Sequence, residues 1–160
     1  MLMLKLIEQI PFFWDFTQEE RAVFVDSDSF FVNYAPNERL IREGDQDDTL
    51  MIILEGTAVV YNDASPDVVL ATLTSSAVIG ELAFLTKQPR ASNVMAQEKT
   101  TVFRIDGQAM TKLSPTLQLK IKDQLIKILV ERLEQMNAAV AKQREMNQVL
   151  AKALARETGA

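Results

Sequence analysis

The sequence predicts an α+β fold, in which an eight-stranded β-roll or jelly roll is flanked by N-terminal helices and followed by a long C-terminal helix. Short apolar runs separated by polar turns fill residues 29–106, and helical spacing marks residues 1–25. From about Pro115 onward the chain has no Pro or Gly until Gly159. We therefore predict one domain over residues 1–115 and a single helix over residues 116–157.

The N-terminal segment predicts two short helices. Apolar residues recur at helix spacing over residues 2–10, and Pro11 ends that pattern. Thr17 lies three residues before Glu20, which is the spacing of a capping box at the start of a second helix.

The central segment predicts eight short strands. Its apolar runs are rich in Val, Ile, Leu, Thr and Phe, and polar turns interrupt them at the spacing typical of barrels and jelly rolls. The runs, in chain order, are SFFVNYA, ERLIREG, TLMIILEG, TAVVYND, DVVLATL, AVIG, ASNVMA and TTVFRID.

Composition excludes several classes of function. The chain contains no Cys and no His, which excludes disulfides, thiolate nucleophiles, zinc sites built from the usual ligands and His-based acid–base catalysis. We predict no metal, no cofactor and no enzymatic activity. No segment approaches the roughly 20 apolar residues that cross a bilayer, and Lys5 and Glu8 interrupt the apolar N-terminus, so we expect a cytoplasmic protein without membrane contact.

Charge limits how the chain can bind an anion. The net charge is −5, and acidic residues outnumber basic ones over residues 1–115. Such a surface repels phosphate groups, so any anionic ligand must be bound by a local arrangement of donors.

The segment VIGELAFLTKQPRASNVMA, residues 78–96, places Glu81 and Arg90 nine residues apart among small and apolar side chains. An ordinary surface loop would carry more Lys, Asp and Ser. Either the two charges pair with each other, or both bind a third group.

These residues carry a resemblance to a known family. NERLIREGDQDDTLMIILEGTAVVY followed by IGELAFLTKQPRASNVMA resembles the cyclic nucleotide-binding domain family, which includes bacterial catabolite activator proteins and regulatory subunits of cyclic-AMP-dependent kinase. The similarity covers roughly residues 5–135. Its most specific part is the phosphate-binding cassette, a Gly-Glu pair and small apolar residues, then a short helix and loop, then Arg and small residues.

The resemblance implies a role for each charged residue of the cassette. A cyclic nucleotide presents a ring phosphate and a free ribose hydroxyl on a rigid frame, so two unlike groups are needed to hold it. Arg90 would bind the phosphate oxygens through its planar, permanently charged fork. Glu81 would accept a hydrogen bond from the ribose 2′-hydroxyl.

The small residues of the cassette complete the predicted site. Gly80 would let the backbone approach the sugar closely. Leu82 and Ala83 would contribute main-chain N–H groups from the first turn of a short helix. Ala91 and Ser92 would keep the far wall of the site small.

The base preference follows from the residue after Arg90. In the family, Thr or Ser at that position is associated with guanine recognition, whereas Ala91 has no hydroxyl. We therefore predict cyclic AMP, with cyclic GMP and cyclic di-GMP as alternatives. Two Ala residues after the Arg are common in the family, so Ser92 followed by Asn93 departs from the most familiar pattern.

The C-terminal segment predicts a dimer helix. Its apolar residues fall on alternating steps of three and four over four heptads, which indicates a partner helix. Asn147 and Gln143 would weaken this seam but fix its register, as in parallel dimers. The seam residues are Ile126, Leu129, Leu133, Met136, Val140, Gln143, Asn147, Leu150 and Leu154.

The resemblance also implies how the helix contributes to function. In the catabolite activator relatives the helix after the barrel forms the dimer axis and covers the base, and Met136 and Asn137 fall near those lid positions. We expect no DNA-binding domain in this chain and an unknown protein partner. The predicted function is a stand-alone cyclic nucleotide sensor. The alternatives are a coiled-coil adaptor whose barrel binds no mononucleotide and a sensor of a cyclic dinucleotide.

Overall fold

Eight strands form two four-stranded antiparallel sheets, which confirms the predicted fold class. The fold is that of a computed structural model, which describes residues 2–159. One sheet has the strand order β1-β8-β3-β6 and the other the order β2-β7-β4-β5. The strands are β1 (Phe31–Tyr34), β2 (Arg39–Ile41), β3 (Leu50–Glu55), β4 (Ala58–Tyr61), β5 (Ala71–Leu73), β6 (Val78–Ile79), β7 (Asn93–Ala96) and β8 (Thr100–Ile105).

The core of the roll lies between the two sheets. Side chains alternate between the two faces of a strand, which is why β3 contributes Met51 and Ile53 and β7 contributes Val94 and Ala96. The buried cluster draws on both sheets and consists of Leu40, Ile41, Met51, Ile53, Ala58, Ile79, Val94, Ala96 and Val102.

Strand β3 is buried on both faces, since all its residues except Glu55 are buried. A group of aromatic side chains joins the neighbouring strand β8 to the N-terminal segments. Phe103 of β8 lies at the centre of that aromatic group. Its ring centroid is 5.1 Å from that of Phe13 and 5.2 Å from that of Phe24, both in edge-to-face geometry. The N-terminal segments therefore attach to the roll through aromatic packing.

Within the described residues, five α-helices accompany the strands: α1 (Leu2–Glu8), α2 (Gln18–Val25), α3 (Glu81–Thr86), α4 (Gly107–Thr111) and α5 (Pro115–Glu157). Short 3₁₀ turns span Pro11–Phe13 and Asp28–Phe30. The predicted helical region over residues 1–25 begins at Met1, which lies outside the described residues. Helix α4 was not predicted from the sequence.

The predicted capping box is present at the start of α2. The main-chain N–H of Glu20 donates to Thr17 Oγ1 (3.2 Å), and the main-chain N–H of Thr17 donates to Glu20 Oε2 (2.9 Å). Two helix N–H groups that lack intrahelical acceptors are satisfied in this way.

The chain divides into two compact units, Met1–Lys120 and Ile121–Ala160. The predicted domain boundary after residue 115 stays a prediction. In the second unit, every described residue from 131 onward is exposed. Across residues 2–159, no helix is both long and apolar enough to span a membrane.

Candidate ligand-binding site

The cassette segment, residues 80–92, joins the two sheets. It leaves β6 at Ile79 and enters β7 at Asn93, and these strands belong to different sheets. Gly80 has φ 82° and ψ 17°, and α3 begins at the next residue. This left-handed conformation turns the chain sharply at the end of β6, and it favours glycine.

A second constraint keeps position 80 a glycine. A Cβ atom built on Gly80 would lie 2.1 Å from Nη1 of Arg90 and 2.8 Å from the carbonyl oxygen of Thr49. The sequence predicted close approach to a ligand at this point. The structure places the Arg90 guanidinium there.

The Arg90 side chain is buried and held by groups from two other segments. Its Nη1 donates to the Gly80 carbonyl (3.2 Å), and its Nη2 donates to the Thr49 carbonyl. Nη2 also lies 3.2 Å from Oδ2 of Asp47. The Nε atom is buried and has no hydrogen-bond partner among residues 2–159. The guanidinium is thus fixed in orientation while one buried donor stays unused.

The Asp47 carboxylate is itself fixed by Thr49. Both the main-chain N–H (2.9 Å) and the hydroxyl of Thr49 donate to Asp47 Oδ1. Burial alone would raise the pKa of Asp47, but the hydrogen bonds from Thr49 and the charge of Arg90 outweigh it. The pKa of Asp47 therefore lies below its usual value, and the carboxylate is ionised at neutral pH.

Asp48 forms a second ion pair, with a lysine at the C-terminal end of α3. Lys87, the residue after α3, has φ 60°, and its Nζ lies 2.9 Å from Asp48 Oδ2. The hydrogen bond from Lys87 lowers the pKa of Asp48 against the opposing effect of burial, and a main-chain hydrogen bond from Gly107 adds to the lowering. Adjacent carboxylates therefore hold two cations that flank the loop between Lys87 and Arg90.

The predicted site residues of the cassette differ in how far they are buried. Gly80 and Arg90 are in direct contact, and Glu81 and Ala83 are buried in α3. Leu82 is 60% exposed at the start of α3, Ala91 is exposed and Ser92 is half-buried.

The two residues predicted as a base lid, Met136 and Asn137, lie in the second unit. Both are exposed on α5. Their role as a lid stays a prediction.

Asp47 and Thr49 were not among the site residues predicted from the sequence. They lie just before β3, whereas Arg90 follows α3, and only the folded sheet brings them together. The available signal was the run GDQDDT, in which two adjacent acidic residues immediately precede a buried strand. Within residues 2–159, no group of three or more acidic side chains is placed to hold a metal ion.

Comparisons with known proteins place the cassette in context. A family model described as the cyclic nucleotide-binding domain matches residues 31–115. The cAMP-dependent protein kinase regulatory subunit of Dictyostelium discoideum is 34% identical over 87 residues, which are 51% of this chain and 27% of that subunit. The cGMP-dependent protein kinase of Plasmodium berghei (strain Anka) is 27% identical over 107 residues, 66% of this chain and 12% of that kinase.

A solved structure shares the fold at similar identity. The PKAR CBD2 domain with Sp-2Cl-cAMPS bound aligns with a TM-score of 0.66 and 26% identity, over 86% of this chain and 88% of that one. By contrast, the chain spans well under two thirds of the length of the two kinase proteins that it matches.

Gly80→Ala should destabilise the protein more than Gly44→Ala. Both glycines have a left-handed φ, but an added Cβ at Gly44 meets nothing within 4 Å, whereas at Gly80 it collides with Arg90. We expect Gly44→Ala to lower the free energy of unfolding by about 1 kcal/mol and Gly80→Ala by about 3 kcal/mol or more. Urea denaturation of the two variants measures the difference, and equal losses would contradict the contact with Arg90.

Acid should weaken the protein partly through Asp47. Because the folded-state pKa of Asp47 is depressed, its contribution to stability is present above the unfolded pKa of about 3.9 and is lost as pH falls through the folded value. Thermal melting from pH 6 to pH 2 should show a smaller loss in Asp47→Asn than in wild type. Asp67→Asn, at an exposed position, is the control and should follow wild type. Parallel curves for Asp47→Asn and wild type would exclude this linkage.

Proposed function

The chain belongs to the cyclic nucleotide-binding domain family, whose model matches over half of it, and on that premise we propose that it is a cyclic nucleotide sensor with cyclic AMP as its ligand. The observation that carries the proposal is the buried Arg90 guanidinium, oriented by Asp47, Thr49 and Gly80, with an Nε donor that no described residue uses.

Arg90 would bind the ring phosphate. A buried donor without a partner costs about 1–3 kcal/mol, and a phosphate oxygen at Nε would recover that cost. Charge-assisted hydrogen bonds of this kind are stronger than neutral ones. The acidic surroundings disfavour anions in general, so the fixed guanidinium supplies the local attraction that binding requires.

The ribose and base would be bound by the rest of the cassette. Glu81, buried at the first position of α3, would accept from the 2′-hydroxyl, and the main-chain N–H groups of Leu82 and Ala83 lie in the first turn of the same helix. Ala91 offers no hydroxyl to a guanine amino group, which favours adenine. Ser92, the next residue, would add only a small side chain to the same side of the site.

The C-terminal helix of the second unit would form a homodimer, and a change in this helix would be the response to the ligand. Exposed apolar side chains recur along α5, including Ile126, Leu133, Met136, Val140 and Leu154, and a second copy of the same helix would cover them. Leu129, by contrast, is only half-buried. The side chains of Gln143 and Asn147 lie 3.3 Å apart along the helix and would set its register.

Ligand occupancy would change the helix through α3. Leu82 and Leu85 are 60% and 40% exposed, whereas Phe84 is buried. Phosphate capture would reposition α3 and repack these side chains, and the change would pass along the chain to the C-terminal helix. The response would pass to a protein partner in the cytoplasm.

Calorimetric titration separates the alternatives. A higher affinity for cyclic AMP than for cyclic GMP supports the proposal. A higher affinity for cyclic GMP would make cyclic GMP the ligand. Heat released only by cyclic di-GMP would favour a dinucleotide sensor that also uses α5. The absence of binding to all three would favour the adaptor.

Arg90→Leu should abolish binding of cyclic AMP. The substitution removes the fixed cation and the Nε donor proposed for the phosphate, so we expect affinity to fall by about 100-fold or more. Glu81→Gln should reduce affinity less, because an amide oxygen can still accept from the ribose. Circular dichroism confirms folding of each variant. Wild-type affinity in folded Arg90→Leu would refute the assignment.

Truncation after Gln135 should convert a dimer into a monomer. Only three residues of the predicted seam, Ile126, Leu129 and Leu133, would remain, which is too few for a stable two-stranded coiled coil. Sedimentation at equal concentration compares the full and truncated chains. A monomeric full-length chain would refute the dimer, and a dimeric truncated chain would move the interface onto the roll.

A further inference from the structure

A closed ring of hydrogen bonds lies beside the cassette. Asn93 is fully buried, three residues after Arg90. Its Oδ1 accepts from the main-chain N–H of Glu43 (2.9 Å), and its Nδ2 donates to Oδ1 of Asp63 (2.8 Å). The main-chain N–H of Asp63 donates in turn to Oε2 of Glu43 (2.7 Å). The ring thus joins the start of β7, the turn after β2 and the chain just after β4.

The turn that enters this ring also holds the main chain of Arg90. The main-chain N–H of Gly44 donates to the Arg90 carbonyl (2.8 Å), and the main-chain N–H of Arg90 donates to the Asp45 carbonyl (2.9 Å). Residues 43–45 therefore contact both Arg90 and Asn93. Any displacement of this turn would move the backbone from which the guanidinium projects.

We propose that Asn93 is a positioning residue for phosphate binding, which acts by fixing the turn at residues 43–45 and through it the main chain of Arg90. This inference rests on the proposed function. It explains why a polar side chain occupies a fully buried position directly after the cassette.

The chemistry of the ring requires an amide at position 93. One neighbour is a main-chain N–H, which needs an acceptor, and the other is a carboxylate, which needs a donor. Asp at this position would accept from Glu43 but would place its second oxygen against the Asp63 carboxylate. An apolar residue would leave the main-chain N–H of Glu43 and the Asp63 carboxylate without these partners.

An exchange of the two side chains tests the proposal. Asn93→Asp alone should weaken cyclic AMP binding about tenfold, because repulsion from Asp63 opens the ring. Adding Asp63→Asn restores a donor and an acceptor in reversed positions and keeps the net charge of wild type, so most of the affinity should return. Asn33→Asp is the matched control. It makes the same change in the other sheet, where the Thr101 hydroxyl can donate to either oxygen type, and should bind as wild type.

Amide hydrogen exchange tests the ring without any ligand. Asn93→Asp should speed exchange at Gly44 and Arg90 at least about tenfold, and the double variant should slow it again. If Asn93→Asp does not fold, Asn93→Ser removes the amide without adding a charge and should show the same faster exchange. Unchanged exchange at both amides, or a double variant no better than Asn93→Asp, would overturn the proposal. If wild type binds no nucleotide while the variants show the predicted changes in exchange, the proposed function is refuted. The finding that Asn93 fixes the main chain of Arg90 would still stand.

Discussion

The contacts of the Arg90 guanidinium are the constraint on which the rest of the cassette depends. They join three segments that are distant in sequence: the end of β6 at Gly80, the start of β3 at Thr49, and the loop before β7 that carries Arg90 itself. Because Nη1 lies where a side chain at position 80 would project, the conformation of Gly80 and the position of Arg90 determine each other. The α3 helix begins at the next residue, so its orientation depends on the same contacts.

Electrostatics explains how a cation can be buried in this acidic chain. Asp47 offsets the charge of Arg90 at 3.2 Å, and hydrogen bonds from Thr49 keep Asp47 ionised despite its partial burial. The two main-chain carbonyls satisfy further guanidinium donors without adding charge. The arrangement balances the cation and leaves the buried Nε without a hydrogen-bond partner among the described residues.

The sequence predicted the fold well because its signals are local. Short apolar runs between polar turns marked all eight strands, and Thr17 with Glu20 marked the start of α2. Helix α4 was missed because it is five residues long and begins with Gly107, a poor helix former. The cap by Asp106, which accepts from the main-chain N–H of Ala109 (2.7 Å), was the one local signal.

The candidate site was only partly predictable. Gly80, Glu81 and Arg90 lie close in sequence and match a family pattern, whereas Asp47, Thr49 and the Asn93 ring depend on contacts that form only when the sheets pair. Asn93 was visible as a departure from the pattern, but its partners Glu43 and Asp63 were not. Polar contacts between residues distant in the chain leave no periodic signal in a single sequence, so only the structure identifies them.

The Nε–H of Arg90 provides the most direct test of the account. In a nitrogen-15 spectrum of the full chain, its resonance should shift on addition of cyclic AMP and exchange more slowly with water, because the buried donor then binds a phosphate oxygen. The shift should saturate with the same dissociation constant as calorimetry. If cyclic AMP shifts other resonances of the protein but leaves the Arg90 Nε–H resonance unchanged, the claim that Arg90 is the phosphate-binding group is contradicted.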